Sequence, residues 1–216
     1  MIDPQELGRI VVLNGAPRSG KSSIARVIQA SFDGVWMNLG VDVFARAVTP
    51  ERYRPGIGLR PGGERPDIEE WLPAFYAALY ESVAAHSRLG LNVVADVGHH
   101  DGHSRSLGIL EDCARRLSEL PAFLVGVRCP LATILERRRQ ETSGREGEYL
   151  GATTSEPVPA PIQLRQEAVH RPGIYDIEVD TSVETPEQCS AAIRRRLDDS
   201  ANPPSAFAQV ASMQSR

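Results

Sequence analysis

Residues Gly15-Ala16-Pro17-Arg18-Ser19-Gly20-Lys21-Ser22 satisfy the pattern G-x-x-x-x-G-K-[ST] at every fixed position. They follow a short apolar run, Arg9 to Asn14 (RIVVLN), and open a helix-forming stretch from Lys21 to Ala30. A buried strand, a glycine-rich turn and a helix form the context in which this pattern cradles phosphate. The glycines let successive backbone N–H groups converge on anionic oxygens, and the helix N-terminus adds a favourable dipole. The lysine places a compact charge between the β- and γ-phosphates, and the serine hydroxyl is a ligand for Mg²⁺. Of the 24 basic side chains one alone is a lysine, and it is Lys21. An arginine-biased genome would account for the scarcity of lysine but not for this placement. Nucleoside-triphosphate binding by Gly15 to Ser22, with Ser23 in the first helical turn, is the primary expectation.

The rest of the chain alternates strand-like and helix-like patterns. Val35–Leu39, Leu91–Val97 (LNVVADV), Ala122–Val127 and Tyr175–Asp180 (YDIEVD) read as further strands. A helical stripe runs through Ile68, Trp71, Leu72, Phe75, Leu79 and Val83; Pro73 implies either a kink or a regular start near Leu72. Helices are also expected over Ser104–Ser118, Leu131–Gln140, Gln163–Val169 and Pro186–Leu197. This alternation predicts an α/β fold with a central, mainly parallel five-stranded sheet in a three-layer α/β/α arrangement, and the phosphate-loop pattern in a compact chain with an arginine-rich lid suits the P-loop kinase type. Residues 1–198 form the expected domain. Thr49 to Pro66 carries four prolines, four glycines and four arginines and reads as a surface loop on the acceptor side. An arginine-rich lid is expected over about 137–162, with a mobile loop from Thr142 to Pro161. Beyond Asp199 the chain reads as a disordered tail.

Composition narrows the classes. A chain of 216 residues, 41% hydrophobic and 24% charged, is large enough to fold on its own core. A net charge of −4 gives no reason to expect nucleic acid or a membrane surface as partner. No apolar stretch approaches the roughly 18 residues of a membrane span, and MIDPQELGR has no leader pattern. Cys113, Cys129 and Cys189 are odd in number and widely spaced, indicating buried thiols in a reducing, cytoplasmic setting. A homo-oligomer is left open.

In a fold of this kind the acceptor of the phosphoryl group lies at the carboxyl ends of the strands. The candidates there are Gly40-Val41-Asp42 and Asp96-Val97-Gly98-His99-His100. The motifs IVVLNGAPRSGKSS, LGVDVF, VVADV, VGVRCPL, ERRRQETSGRE and YDIEVDTS, in this order from about Arg9 to Leu197, resemble the chloramphenicol phosphotransferase family. The resemblance implies transfer of the ATP γ-phosphoryl group to a hydroxyl of an antibiotic, with Asp42 as the base facing that hydroxyl. On its own, an aspartate at this position also suits a cap for a helix beginning at Val43, and the two roles can coexist. Asp96, ending an apolar strand, suits a Walker-B-type acid that holds Mg²⁺ through water, a contact to substrate, or a buried strand-end carboxylate. Among Arg137, Arg138, Arg139 and Arg145, Arg138 and Arg145 are the expected phosphoryl clamps, Arg138 also meeting the nucleotide. Adjacent helix positions diverge, so at most two of the three consecutive arginines can reach the nucleotide.

His99, His100, Asp101 and His103 lie within one loop, which is not a coordination geometry; His99 and His100 read as acceptor-pocket lining or as exposed loop. Arg60, with Arg52, Arg54 and Arg65, suggests an acceptor more polar or anionic than chloramphenicol, or an extra grip on the nucleotide. The cofactors expected are ATP, with GTP equally open, and Mg²⁺. Two alternatives stand beside antibiotic phosphorylation: a metabolite kinase of the same architecture, and a nucleotide-binding regulatory module without transfer activity.

Overall fold

The computed structural model describes residues 6–63, 65–140, 160–199 and 205–213. Most of the expected lid, including Arg145, lies outside the described residues.

Five parallel strands make the sheet: β1 Ile10–Asn14, β2 Trp36–Asn38, β3 Asn92–Val97, β4 Ala122–Arg128 and β5 Ile177–Asp180. Their order is β2-β3-β1-β4-β5, so β1 lies at the centre with Val12 beside Ala95 on one side and Leu124 on the other. Every residue of β1 is buried, four apolar side chains and the terminal Asn14, as befits a central strand between two helical layers. Its side chains alternate between two cores. Ile10 and Val12 join the layer of α4 (Leu72–Arg88), α5 (Ile109–Leu117) and α9 (Ala206–Ser212). Val11 and Leu13 meet α1 (Lys21–Ser31) and α8 (Pro186–Asp198) on the other face. The result is the three-layer α/β/α sandwich anticipated from the pattern.

The remaining helices are short or close to the cleft: α2 Val41–Val43, α3 Pro66–Glu69, α6 Leu131–Gln140 and α7 Ala160–Ala168. Pro73 sits in the first turn of α4, where its missing N–H costs nothing, so the stripe breaks into α3 and α4 rather than kinking. Thr185 caps α8 in a reciprocal pair with Gln188. No described helix is long and apolar enough to cross a membrane.

Three expectations are corrected. First, the proline- and arginine-rich segment is not a plain surface loop. Ile57 and Leu59 are buried in the α4 core, and Tyr76 Oη donates to Ile57 O at 3.0 Å. Second, the helix expected from Ser104 begins only at Ile109. Ser104 N donates to both carboxylate oxygens of the buried Glu69 at 3.1 Å, and Leu107 N donates to Asp101 Oδ1, so these donors are committed to loop contacts. Third, the tail is not disordered throughout. Ala206, Phe207 and Val210 of α9 are buried in the same core as α5, and Ser205 caps the helix by accepting from Ala208 N.

Candidate active site

β1 delivers the chain into a glycine turn that nothing larger could occupy. A Cβ on Gly15 would come within 2.5 Å of Val127 O, and Gly20 takes a left-handed φ of 95° immediately before α1. Arg18 adopts a positive φ of 72° without being glycine, a strained backbone of the kind that persists where its surroundings enforce it. The surroundings are visible. Arg137 donates from Nη1 to Arg18 O (3.2 Å) and Thr181 Oγ1 (3.1 Å), and from Nη2 to Thr181 O (2.6 Å). Thr181 Oγ1 in turn donates to Ser19 O at 2.7 Å. The last turn of α6 and the turn after β5 thus brace the loop from outside.

Lys21 closes the loop from inside. Its Nζ donates to Gly15 O and Ala16 O, each at 2.8 Å. Burial lowers its pKa to about 8; the Asp96 and Asp42 carboxylates oppose that shift, and the Arg165 guanidinium reinforces it. Ser19 Oγ is buried with no hydrogen-bond partner among the described residues, an orphan acceptor and donor inside a ring built for oxyanions.

Ser22 Oγ donates to Asp96 Oδ2 at 2.6 Å, bringing a hydroxyl and a buried carboxylate from α1 and β3 together. Two hard oxygen donors side by side suit Mg²⁺, which keeps waters and phosphate oxygens as its other ligands. Asp96 owes its position to Gly40: a Cβ there would overlap Asp96 Oδ1.

Asp42 falls in the first turn of α2, whose cap is Gly40, so the capping alternative does not hold. The helix passes into a π turn over Phe44–Val48, and Asp42, Ala45 and Arg46 line one cleft of about 540 Å³. Gly15, Ala16, Pro17, Arg18, Lys21 and Ser22 line it too, as do Arg60, Asp96 and Arg138. Ser19, Gly20 and Ser23 are not among the lining residues: Gly20 caps α1 and Ser23 lies in its first turn. Of the three consecutive arginines, Arg138 faces the cleft, Arg137 braces the loop, and Arg139 pairs with Glu136 on the surface.

The two histidines expected in the acceptor pocket are elsewhere. His99 is 3% exposed, with Nε2 2.7 Å from Tyr80 Oη and its ring 4.9 Å from that of Tyr76. His100 Nε2 donates to Leu59 O at 2.9 Å. Burial pushes both pKa values down to about 3, so they are neutral staples between the β3 loop and the acceptor-side segment. Among the described residues no cluster of metal-ligating side chains forms there.

Sequence reasoning missed Arg165, Gln166 and Asn14. Arg165 and Gln166 of α7 line the cleft, and Arg165 covers Gly98, where a Cβ would lie 3.7 Å from its Nη2. Asn14 is a buried hub at the end of β1. Its Nδ2 donates to Val169 O (2.8 Å) and Tyr175 Oη (3.0 Å), and its Oδ1 accepts from His99 N (2.9 Å). The polar end of an otherwise apolar strand was the signal available for Asn14; nothing local marked the other two.

A phosphate ring, an oxygen pair suited to Mg²⁺ and a carboxylate across one cleft agree with the family model that matches residues 8–198, that of chloramphenicol phosphotransferase-like protein. The chain belongs to the chloramphenicol phosphotransferase-like family. Sequences from two strains of Mycobacterium tuberculosis, provisionally named O-phosphotransferases, are 26% identical over 190 residues, covering 81% of this chain and 76% of their own length. Among solved structures, an unliganded sugar kinase of Janibacter superposes with a TM-score of 0.60 at 19% identity, covering 94% of this chain and 98% of that one. The Mycobacterium tuberculosis APS kinase in complex with AMPPNP and APS gives 0.52 at 16% identity, covering 90% and 99%. This member of the chloramphenicol phosphotransferase-like family is a kinase-type enzyme, a P-loop phosphotransferase.

Proposed function

We propose that the protein transfers the γ-phosphoryl group of ATP to a hydroxyl of a small molecule of the antibiotic class, inactivating it. The observation that carries this reading is the placement of Asp42 on the same cleft as Lys21, Arg138 and the Ser22–Asp96 pair. Asp42 orients the acceptor hydroxyl and takes its proton as the new oxygen–phosphorus bond forms. The bond between the γ-phosphorus and the bridging oxygen breaks, and ADP departs with that electron pair. Lys21 and Arg138 hold the phosphate oxygens on which charge accumulates. Arg145 belongs to the same proposed clamp. Ser22 and Asp96 would hold Mg²⁺, which would supply charge neutralisation for the transferring phosphate.

Replacing Asp42 with alanine tests the assignment. Calorimetric ATP binding should be retained while turnover falls roughly 10²–10⁴-fold. Full turnover in Asp42→Ala would remove the base, and a regulatory module would keep its biological activity. The acceptor is identified by mass spectrometry after incubation with ATP or GTP, Mg²⁺ and a panel of chloramphenicol, nucleoside antibiotics, aminocyclitols and common metabolites. Modification of a metabolite alone would favour the housekeeping kinase.

A further inference from the structure

Asp42 owes its place on the cleft to a helical segment that burial alone does not hold. α2 runs directly into the π turn over Phe44–Val48, so Val41 to Val48 form one short helical run with Asp42 near its start. Val41 and Phe44 pack against the α4 core, but no residue of the run is fully buried. A helix this short is marginal on its own. The π turn gives up α-helical hydrogen-bond geometry, and turns of this kind are rare and frequent at functional sites. Thr49 closes it, donating from N (2.9 Å) and Oγ1 (3.0 Å) to Phe44 O.

The end of the run is clamped from outside. The last carbonyls of a helix have no partner within it. Arg54 donates from Nη2 to Arg46 O at 2.6 Å and from Nε to Thr49 O at 3.1 Å. A guanidinium fork can span two carbonyls at once, and its charge suits the negative end of the helix dipole. Arg54 is presented by a stretch that is itself fixed. A Cβ on Gly56 would lie 3.1 Å from Thr49 Cγ2, and Ile57 and Leu59 are each 2% exposed. Tyr76 Oη donates to Ile57 O, and neutral His100 donates to Leu59 O. Fixed contacts thus lead from α4 and the β3 loop through Arg54 to the helical run. Arg46, whose carbonyl is held, stands four residues beyond Asp42, one helical turn along, and both residues line the cleft.

We propose that Arg54 is a positioning residue for phosphoryl transfer: by holding Arg46 O and Thr49 O it fixes the helical run that carries Asp42, and with it the place where the base meets the acceptor hydroxyl. This rests on Asp42 serving as that base. A displacement of about 1 Å at such a group is enough to cost about 100-fold in rate.

Two arms test it on the full chain. In the first, which needs no acceptor, hydrogen exchange is compared between wild type and Arg54→Gln. Amides of residues 41–49 should exchange about 5- to 10-fold faster, while the phosphate loop and α4 keep their protection. Unchanged protection over 41–49 overturns the proposal. Circular dichroism checks folding, and Arg54→Lys, which keeps the charge without the fork, carries the same comparison if Arg54→Gln does not fold.

The second arm is kinetic, using an acceptor identified by mass spectrometry. Arg54→Gln should lower kcat about 10- to 100-fold with the KM for ATP within about twofold of wild type, and Arg54→Lys should lie between. The deciding comparison is made in Asp42→Ala. There Arg54→Gln should cost no further turnover, because a residue acting through the base has nothing left to position. A full additive loss in that background would mean that Arg54 acts on substrate or phosphate directly, and overturns the proposal. Wild-type turnover in Arg54→Gln would overturn it while leaving the transferase intact. Faster exchange over 41–49 with full turnover in Asp42→Ala would leave the clamp as a structural contact and remove the base, and the proposal with it.

Discussion

Lys21 shows how a single residue carries both structure and chemistry. Its ammonium donates to two backbone carbonyls, and burial brings its pKa to about 8. A polyphosphate favours the charged form, so binding selects the protonated lysine. The sign follows directly. Below pH 8 the ammonium is already present and affinity should be nearly constant. As pH rises through about 8 the proton must be taken up on binding, and ATP affinity should fall by up to about tenfold per pH unit. Calorimetry from about pH 6.5 to about 9.5, in buffers of different ionisation enthalpy, reads both the affinity and the proton uptake; flat affinity with no uptake would show that Lys21 stays charged. Lys21 was legible in the sequence because a motif of fixed types at fixed spacing dictates its surroundings. Asn14 was not, because its partner Val169 lies 155 residues away and only the docking of α7 brings them together.

At the scale of elements, the site depends on how closely the segment after β2 approaches the end of β3. Gly40 has φ −67° and ψ 167°, a conformation open to any residue, so an alanine there would suffer no backbone strain. Its Cβ would instead collide with Asp96 Oδ1 and drive the carboxylate from Ser22. Gly40→Ala should therefore lose about 100-fold or more in turnover, with a stability cost of about 1–3 kcal/mol. Steady-state kinetics alongside a thermal melt separates the two effects; wild-type turnover would mean that Asp96 serves neither metal nor substrate. The strands and most helices were legible because their periodicity is local. The segments around Thr49–Pro66 and Ser104–Gly108 were misjudged for a common reason. Their polar and turn-forming residues describe loops correctly, but Ile57, Leu59 and Glu69 find partners in α4 and the β3 loop that no local pattern announces.

For the whole molecule, the core extends past the last element that the alternation of strands and helices could reveal. Ala206, Phe207 and Val210 of α9 are no more than 1% exposed, packed where α5 and β4 leave the sheet uncovered. Asp176 ties this helix to the sheet, accepting from Ala206 N at 3.0 Å and from Leu124 N at 2.7 Å. Seven residues after a proline pair are too few to show a helical stripe, which is why α9 reads as tail in the sequence. Its contribution should nonetheless be that of a core element. Phe207→Ala should cost about 3–5 kcal/mol, lowering the melting temperature by about 6–20 °C for a chain of this size. The P-loop, Asp42 and Asp96 belong to β1, α1, α2 and β3, so turnover well below the transition should change little. A melting curve indistinguishable from wild type would place α9 outside the cooperative fold. A stability loss accompanied by loss of ATP affinity at low temperature would instead mean that α9 supports the cleft through β4, whose Val127 O abuts Gly15 of the phosphate loop.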